Sequence, residues 1–339
     1  MAHEFLIKDI AFQAGLSTAT VDRVLNGRGG VRRQTKLRVE AAIRELREQE
    51  SRMGMSGRTY VFDVLMETPE RFADAVRTAF EAEASAFPPA VIRLRFHFSE
   101  QIREADMVAL LKRIRSRGSH GVVLKAADTP AIRDAIAELD RAGIPVVTLV
   151  TDIPGSARVA YAGADNHASG ETAAYLIGTR LRSGTVLVSL SSNRFRGEEE
   201  RLQGFCGLLR ARWPHLGIVE ISEGYGKDTP TGEQVRAALA ADPAINAVYS
   251  IGGGNRAIVS AFDGMKREIG CYVAHDLDQD NVTLLRQERL SYVLHHNLAS
   301  DAASVYRTFL RIRHALPYLE GPKLSSIEII TPFNFSSPA

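Results

Sequence analysis

The sequence runs to 339 residues, 45% of them hydrophobic and 24% charged, with a net charge of +2. That composition excludes a fibrous or disordered chain and leaves room for roughly two domains of about 150 residues each. No apolar run nears the roughly 18 residues of a membrane span, and MAHEFLIKDI is too polar for a secretory leader, so the expectation is a cytoplasmic protein with no membrane partner. The two cysteines, Cys206 and Cys271, fall in segments patterned as a helix and a strand without metal-ligand spacing. They read as buried reduced thiols, and neither a metal nor a cofactor is expected.

Residues 1–58 carry eleven Lys or Arg against seven acids, a surplus of +4 that leaves the rest of the chain at −2. Six of those bases lie between residues 23 and 38, as in a small anion-binding surface, although an ordinary solvated face gives the same count. Spacing resolves three helices here. Ile7, Ile10, Ala11 and Ala14 share one face, with Gly15 as C-cap; Ser17 is placed to cap a second helix whose apolar face is Val21, Val24 and Leu25, ending near Asn26-Gly27. A third runs from about Arg33 to Arg47 on the stripe Val39, Ala42, Ile43 and Leu46.

Three residues between the first two helices, beginning with Gly15, predict a helix-turn-helix whose second helix enters the DNA major groove. Thr18, Ala19 and Asp22 lie opposite the apolar face at the start of that helix, where base edges are met. Ser17, Thr20, Arg23, Asn26 and Thr35 suit phosphate contacts. The blander alternative is a helical hairpin inside a larger domain.

IKDIAFQAGLSTATVDRVLNGRGGVRRQTKLRVEAAIREL resembles, position by position, the DNA-binding headpiece of the lac repressor family: the Ala-Gly-(apolar)-Ser turn, the Thr-Val-x-Arg-Val-Leu-Asn helix and the Val-x-x-x-Thr-x-x-x-Val third helix. The resemblance implies that Thr18 and Ala19 are the main base readers, with Lys8, Thr20 and Arg23 beside them. Asp22 departs from the family's Ser. It can accept from a cytosine amino group or pair with a neighbouring Arg, and the pairing is favoured. The family's joint between headpiece and body usually holds a Pro and a minor-groove Leu wedge. Here the joint reads REQESRMGMSGRTY, so either Met53 or Met55 replaces the wedge or the operator centre is not kinked. The expected division is a headpiece over 1–50, a hinge over 51–58 and an effector-binding and dimerisation domain over 59–339.

From Thr59 onward the apolar runs YVFDVLM, VIRLRFHF, HGVVLK, PVVTLV, TVLVSL, NAVYS and CYVAH alternate with amphipathic stretches such as ERFADAVRTAFEAEASAF. The fold class expected is therefore a small all-α helix-turn-helix domain followed by α/β: two doubly wound parallel-sheet lobes with a ligand cleft at the strand ends. GADNHASG marks the break, giving a first lobe of about 59–163 and 296–322 and a second of about 164–295 and 323–339.

This region resembles the type I periplasmic sugar-binding fold, nearest the ribose-binding branch, over nearly its whole length. The likeness is carried by AIAELDRAGIPVVTLVTDIPGSARVAYAGADNHASGETAAYLIG, by RLQGF and by YVAHDLDQDNVTLLRQERLSYVLHH. It implies sugar-contacting positions at Lys125, Asp165, Asn166, Arg201, His275, Asp276 and His296, with Arg71 and Phe72 in the first strand-to-helix loop. Arg201 is expected to reach in from the lobe opposite His275 and Asp276. The sequence departs from the branch in four places. Val150-Thr151 stands for Asp-Arg; GGGN replaces Asn-Asp and leaves Asn255 as the nearest polar group; His275 replaces an aromatic; and His296 replaces Gln. The histidines with Lys125 suit an acidic or phosphorylated sugar, whereas Asp276 alone suits neutral hydroxyls.

Other chemistries are weaker. IGGGNRA between strand and helix could cradle a phosphate, but lacks the G-x-G-x-x-G spacing and a P-loop Lys. His275 and His296 have no third metal ligand at sensible spacing, and EEER at 198–201 reads as an acidic helix start rather than acid–base machinery. The reading is a non-enzymatic regulator of transcription, a repressor of a carbohydrate catabolic operon. Its partners are double-stranded operator DNA, a small effector (a sugar, polyol or sugar acid) and a second copy of the chain. The alternatives are a cytoplasmic sugar- or nucleotide-binding enzyme with an unrelated helical N-terminus, or a transport receptor. The tail KLSSIEIITPFNFSSPA has strand-like alternation and no heptad, so a homodimer and nothing larger is expected, using the flat faces of the lobes.

Overall fold

The computed structural model describes residues 5–28, 30–55, 57–88, 90–313 and 324–335, with backbone only over 48–55. Three helices come first: α1 (Ile7–Ala14), α2 (Thr18–Leu25) and α3 (Arg33–Met55). Gly15 ends α1 in the left-handed region at φ 60°, sending its N–H back to Ala11 and Phe12, and the Ser17 hydroxyl caps α2 by accepting from Thr20 N. Ile10, Ala11, Ala14, Val21, Val39 and Ala42 form the small core between them. Arg38 ties α3 to the end of α1 through the Ala14 carbonyl at 2.7 Å.

The third helix does not stop at Arg47. It continues to Met55, through the first five residues of the expected hinge. Glu, Gln, Arg and Met beyond the apolar stripe are good helix formers, and one Gly at position 54 costs only about 1 kcal/mol in the last turn. Gly57, at φ 73°, follows the helix end. The side chains of Met53 and Met55 lie outside the described residues.

The first sheet is parallel throughout, in the order β2-β1-β3-β4-β5: β1 (Thr59–Glu67), β2 (Val91–Ser99), β3 (Gly121–Lys125), β4 (Val146–Leu149) and β5 (Ala160–Ala162). Strand alternation decides which helix each face meets. Phe62, Val64 and Met66 of β1 pack against α4 (Glu70–Ala84) and α12 (Leu298–Ile312), whereas Leu65 packs against α5 (Glu104–Arg117) and α6 (Pro130–Arg141). Asp63 shares the Leu65 face and is fully buried, held by Arg95 and Arg117 at 2.7 Å and His97 at 2.9 Å.

The second sheet runs β11-β10-β9-β8-β6-β7, from β6 (Thr185–Ser189), β7 (Gly217–Ile221), β8 (Ile245–Ser250), β9 (Cys271–His275), β10 (Tyr292–His296) and β11 (Ile327–Ile330). All pair in parallel except β11, which lies antiparallel on β10. One face is covered by α7 (Asn166–Arg180) and α8 (Arg196–Arg212), the other by α9 (Asp228–Ala241), α10 (Asn255–Gly264) and α11 (Gln279–Arg286). Both lobes are thus doubly wound, as the strand and helix alternation predicts. The short β5 and β7 are strands that the apolar runs do not reveal, and Cys206 and Cys271 are buried free thiols on α8 and β9. The chain passes from β5 to α7 through 163–165 and returns from β10 to α12 at Asn297; Ser325 pairs beside the first passage, its N–H on the Gly163 carbonyl at 3.0 Å.

Two glycines bring α7 and α8 together. A Cβ on Gly170 would stand 1.9 Å from the Arg201 carbonyl oxygen, and one on Gly204 would stand 2.1 Å from that of His167. Gly170→Ala must therefore push α8 away and lower stability by about 1–3 kcal/mol in urea unfolding. Gly207→Ala, on the same helix with open space beside it, should instead raise stability by up to about 1 kcal/mol.

Candidate functional site

On the headpiece, Thr18 and Ala19 are exposed at the start of α2, as are Lys8, Arg23 and Asn26, with Thr20 and Thr35 half-buried. Ser17 is occupied by its cap and by a 2.8 Å contact with the Thr20 hydroxyl. Asp22 is engaged as well: Arg28 pairs with it at 2.9 Å and Asn26 Nδ2 donates to it at 2.7 Å. Without DNA the carboxylate is thus paired with a neighbouring Arg, and Asn26 uses its amide within the helix.

The second site is a cleft of about 850 Å³, counted to its open mouth, between the C-terminal edges of the two sheets. The strand ends supply it: Glu67 at the end of β1 and Thr68 after it, Lys125 at the end of β3, Val150 and Thr151 after β4, Ser191 after β6, Gly252 and Gly253 after β8, and His275 at the end of β9 with Asp276 after it. Parallel strands place ligand-binding groups there because every loop leaving a C-terminal end opens on the same side. Two of these loops hold non-glycine residues in the left-handed region, Val150 at φ 67° and Asp276 at φ 64°. For a β-branched residue that conformation is strained. Asn166 and Tyr161 fix it by donating to the Val150 carbonyl at 3.2 and 3.1 Å.

Arg71, Phe72, Lys125, Arg201, His275 and Asp276 all line the cleft. Asp165, Asn166, Asn255 and His296 do not. Asp165 caps α7 by accepting from Ala168 N at 2.9 Å, and Asn255 is consumed by Asn281 and the Tyr272 hydroxyl. Asn166 stands behind Arg201 and accepts from its Nε at 2.9 Å. His296 stands behind Asp276, with Nδ1 3.0 Å from Oδ1 in an ion-pair contact without hydrogen-bond alignment, while Nε2 faces Asp301 across 3.9 Å. The expected position of Arg201 is also corrected. It sits on α8, packed on the same sheet that carries His275 and Asp276, and the cations from the opposite lobe are Lys125 and Arg71.

Several lining residues escape sequence reasoning. Glu67 ends an apolar strand and gives no signal of its own, yet it accepts from Arg194 of the second lobe at 2.8 Å. Glu198 is the first-turn acid expected of EEER, but it also lines the cleft and binds Ser191 through both the hydroxyl and the N–H. Arg71, which the resemblance does mark, lies with Phe72 in the first turn of α4 rather than in the loop before it, and crosses from the first lobe to Asp278 at 2.8 Å. The glycines of IGGGNRA make room for it, since a Cβ on Gly253 would stand 2.0 Å from its guanidinium. The motif therefore receives an arginine from the facing lobe.

Burial sets the protonation states. It pushes the Lys125 ammonium down to about 8, against the pull of Glu198 and Glu67, and holds His275 well below its ordinary value and so neutral. For Asp276 burial pushes upward, but His296 and Arg201 outweigh it and keep the carboxyl below its usual range.

A family model described as bacterial regulatory proteins of the lacI family matches residues 6–47, and one described as periplasmic binding protein domain matches residues 64–311. The chain belongs to the lacI family of bacterial regulatory proteins and is built on a periplasmic binding protein domain. No curated protein matches it. Solved structures similar to this lacI-family chain share its fold. GanP, a glucose-galactose binding protein from Geobacillus stearothermophilus, is 18% identical, with a TM-score of 0.72 over 81% of this chain and 98% of its own. A protein assigned as a LacI transcriptional regulator from Bacteroides fragilis is 14% identical, with a TM-score of 0.72 over 82% and 98%. The fructose-binding periplasmic domain of the hybrid two-component system BT1754 is 17% identical, with a TM-score of 0.71 over 81% and 91%.

The depressed Lys125 fixes the sign of a pH effect. Between about pH 8 and the ordinary lysine value near 10.5 the unfolded chain holds a proton that the folded chain has lost, so this group's destabilising effect fades as pH rises through that window. Lys125→Met should raise stability by on the order of 2 kcal/mol at pH 7, and the gain should have largely disappeared by pH 10.5 in paired urea titrations.

Proposed function

We propose that this lacI-family chain is a sequence-specific DNA-binding transcriptional regulator controlled by a small sugar-like effector held between its lobes, and that it represses a carbohydrate catabolic operon. The observation that carries the reading is the coexistence, on one chain, of a capped helix-turn-helix with a basic surface and a cleft built on a periplasmic binding protein domain. DNA affinity resides in the first and effector affinity in the second. Their coupling is a free energy, typically about 1–3 kcal/mol in such systems.

Thr18 and Ala19 read base edges, Lys8, Thr20 and Arg23 flank them, and Thr35 adds a phosphate contact. Asp22 orders Arg28 and Asn26 rather than reading a base. Two copies act together on a near-palindromic operator in the cytoplasm, each headpiece taking one half-site. In the closed arrangement of the lobes, Glu67–Arg194 and Arg71–Asp278 span the cleft, with Lys227–Glu100 at 3.2 Å. An effector that fits between them favours one degree of closure, and through it one placement of the paired headpieces.

Selection of duplexes from a random pool by the full chain should return a two-fold symmetric site with half-sites about one helical turn apart. Sedimentation should give twice the mass of the chain. Sugars added to that complex should shift its affinity by roughly 5- to 150-fold. Recovery of no preferred duplex sinks the reading. Arg23→Ala should weaken binding to all duplexes and reduce the salt slope by about 1, while Met55→Ala changes affinity much less. An equal loss with Met55→Ala would show a methionine wedge in the minor groove.

A further inference from the structure

The charged groups lining the cleft are unequally engaged. On the acidic side Glu67 has Arg194, Asp278 has Arg71, Glu100 has Lys227 and Glu198 has the hydroxyl and N–H of Ser191, while Asp276 has only the ion-pair contact with His296 and accepts no hydrogen bond among the described residues. On the basic side two donors are left over. Arg201 is only 6% exposed, and its Nε goes to Asn166, but among the described residues its two terminal nitrogens have no hydrogen-bond partner. Lys125 is 9% exposed; it donates once, to the Glu67 carbonyl at 2.7 Å, and rests over the Phe195 ring at 3.9 Å. Two of its N–H bonds are unused, and the buried Thr68 hydroxyl also lacks a partner.

A buried guanidinium with idle donors is costly until something accepts from it. A neutral sugar brings a donor with every hydroxyl acceptor, and of the buried carboxylates lining the cleft only Asp276 is left without a hydrogen bond to receive one among the described residues. The geometry points to an anionic monosaccharide, an aldonic or uronic acid, whose carboxylate sits against the Arg201 fork and Lys125 and whose hydroxyls face Asp276 and Glu198. Arg201 suits that group because its planar donors match a carboxylate two by two. The inner charges, Lys125 and Arg201 against Glu198 and Asp276, already balance, so one added negative charge is tolerated better than the two of a phosphate ester. This inference rests on the reading of the cleft as a sugar-effector site.

The test is titration calorimetry on the full chain with matched probes: the gluco, galacto and manno aldoses, their aldonates and uronates, and their 6-phosphates. At least one acid should bind at least tenfold more tightly than the aldose of the same configuration. Its binding at pH 8 should take up protons, seen as different heats in phosphate and Tris, because an anion beside Lys125 raises its affinity for a proton. Lys125→Gln should erase the preference for the acid and the proton uptake together. Arg201→Lys keeps the charge but loses the fork, and should weaken the acid at least tenfold; either variant, shown folded by circular dichroism, decides the matter. An aldose that binds as tightly as its acid, or a 6-phosphate preferred to both, overturns the inference and leaves the sugar-effector reading standing. Failure of every probe to bind overturns both.

Discussion

Parallel strands all point one way, so the loops leaving their C-terminal ends gather along a single edge of each sheet. In this chain two such edges face one another, and nearly every feature of the cleft follows from that. Lys125, Val150, Ser191 and His275 are far apart in sequence, yet each lies at the end of a strand or just after one and so opens into the same space. The constraint also explains why the cleft is crowded with charge. Strand ends are followed by helix starts, where acids such as Glu198 are favoured, and the facing lobe must answer them.

A second layer holds the first in place. Asn166 orients Arg201 and supports the strained Val150, His296 backs Asp276, and Asn281 donates to the carbonyls of both His275 and Asp276. These residues sit where the chain changes lobes or where a helix begins, places at which the backbone is already fixed. His296 ends β10 and Asp301 lies one turn into α12, which packs on the other lobe, so the imidazole lies between carboxylates that belong to elements of different lobes. Burial pushes Asp301 upward, and the contact with His296 works against it.

Much of this was legible in the sequence because local chemistry and global fold agree there. Gly15, Ser17 and the spacing of Val21, Val24 and Leu25 specify the helix-turn-helix without help from distant residues. The apolar runs mark most strands, and the sugar-binding resemblance marks Lys125, Arg201, His275 and Asp276. Where reasoning failed, the deciding partner was remote. Glu67 matters because of Arg194, 127 residues away, and no pattern near either residue announces it. Asn255 and Asp165 are the reverse case: polar residues in the right segment whose bonding capacity was already claimed by Tyr272 and by a helix cap. The strands β5 and β7 were missed because AYA is only three residues long and GIVEI is partly exposed along its length.

The length of α3 bears on how the protein measures its target. Because the helix runs to Met55 and β1 opens at Thr59, only residues 56–58 join headpiece to body, a span of at most about 10 Å when fully extended. A long floppy joint would let each headpiece search for its half-site independently of the body. On the two-half-site operator proposed above, so short a tether would make α3 a ruler instead: inserting base pairs between half-sites could not be absorbed by stretching the chain, and tolerance to operator length would become a property of the body's own geometry.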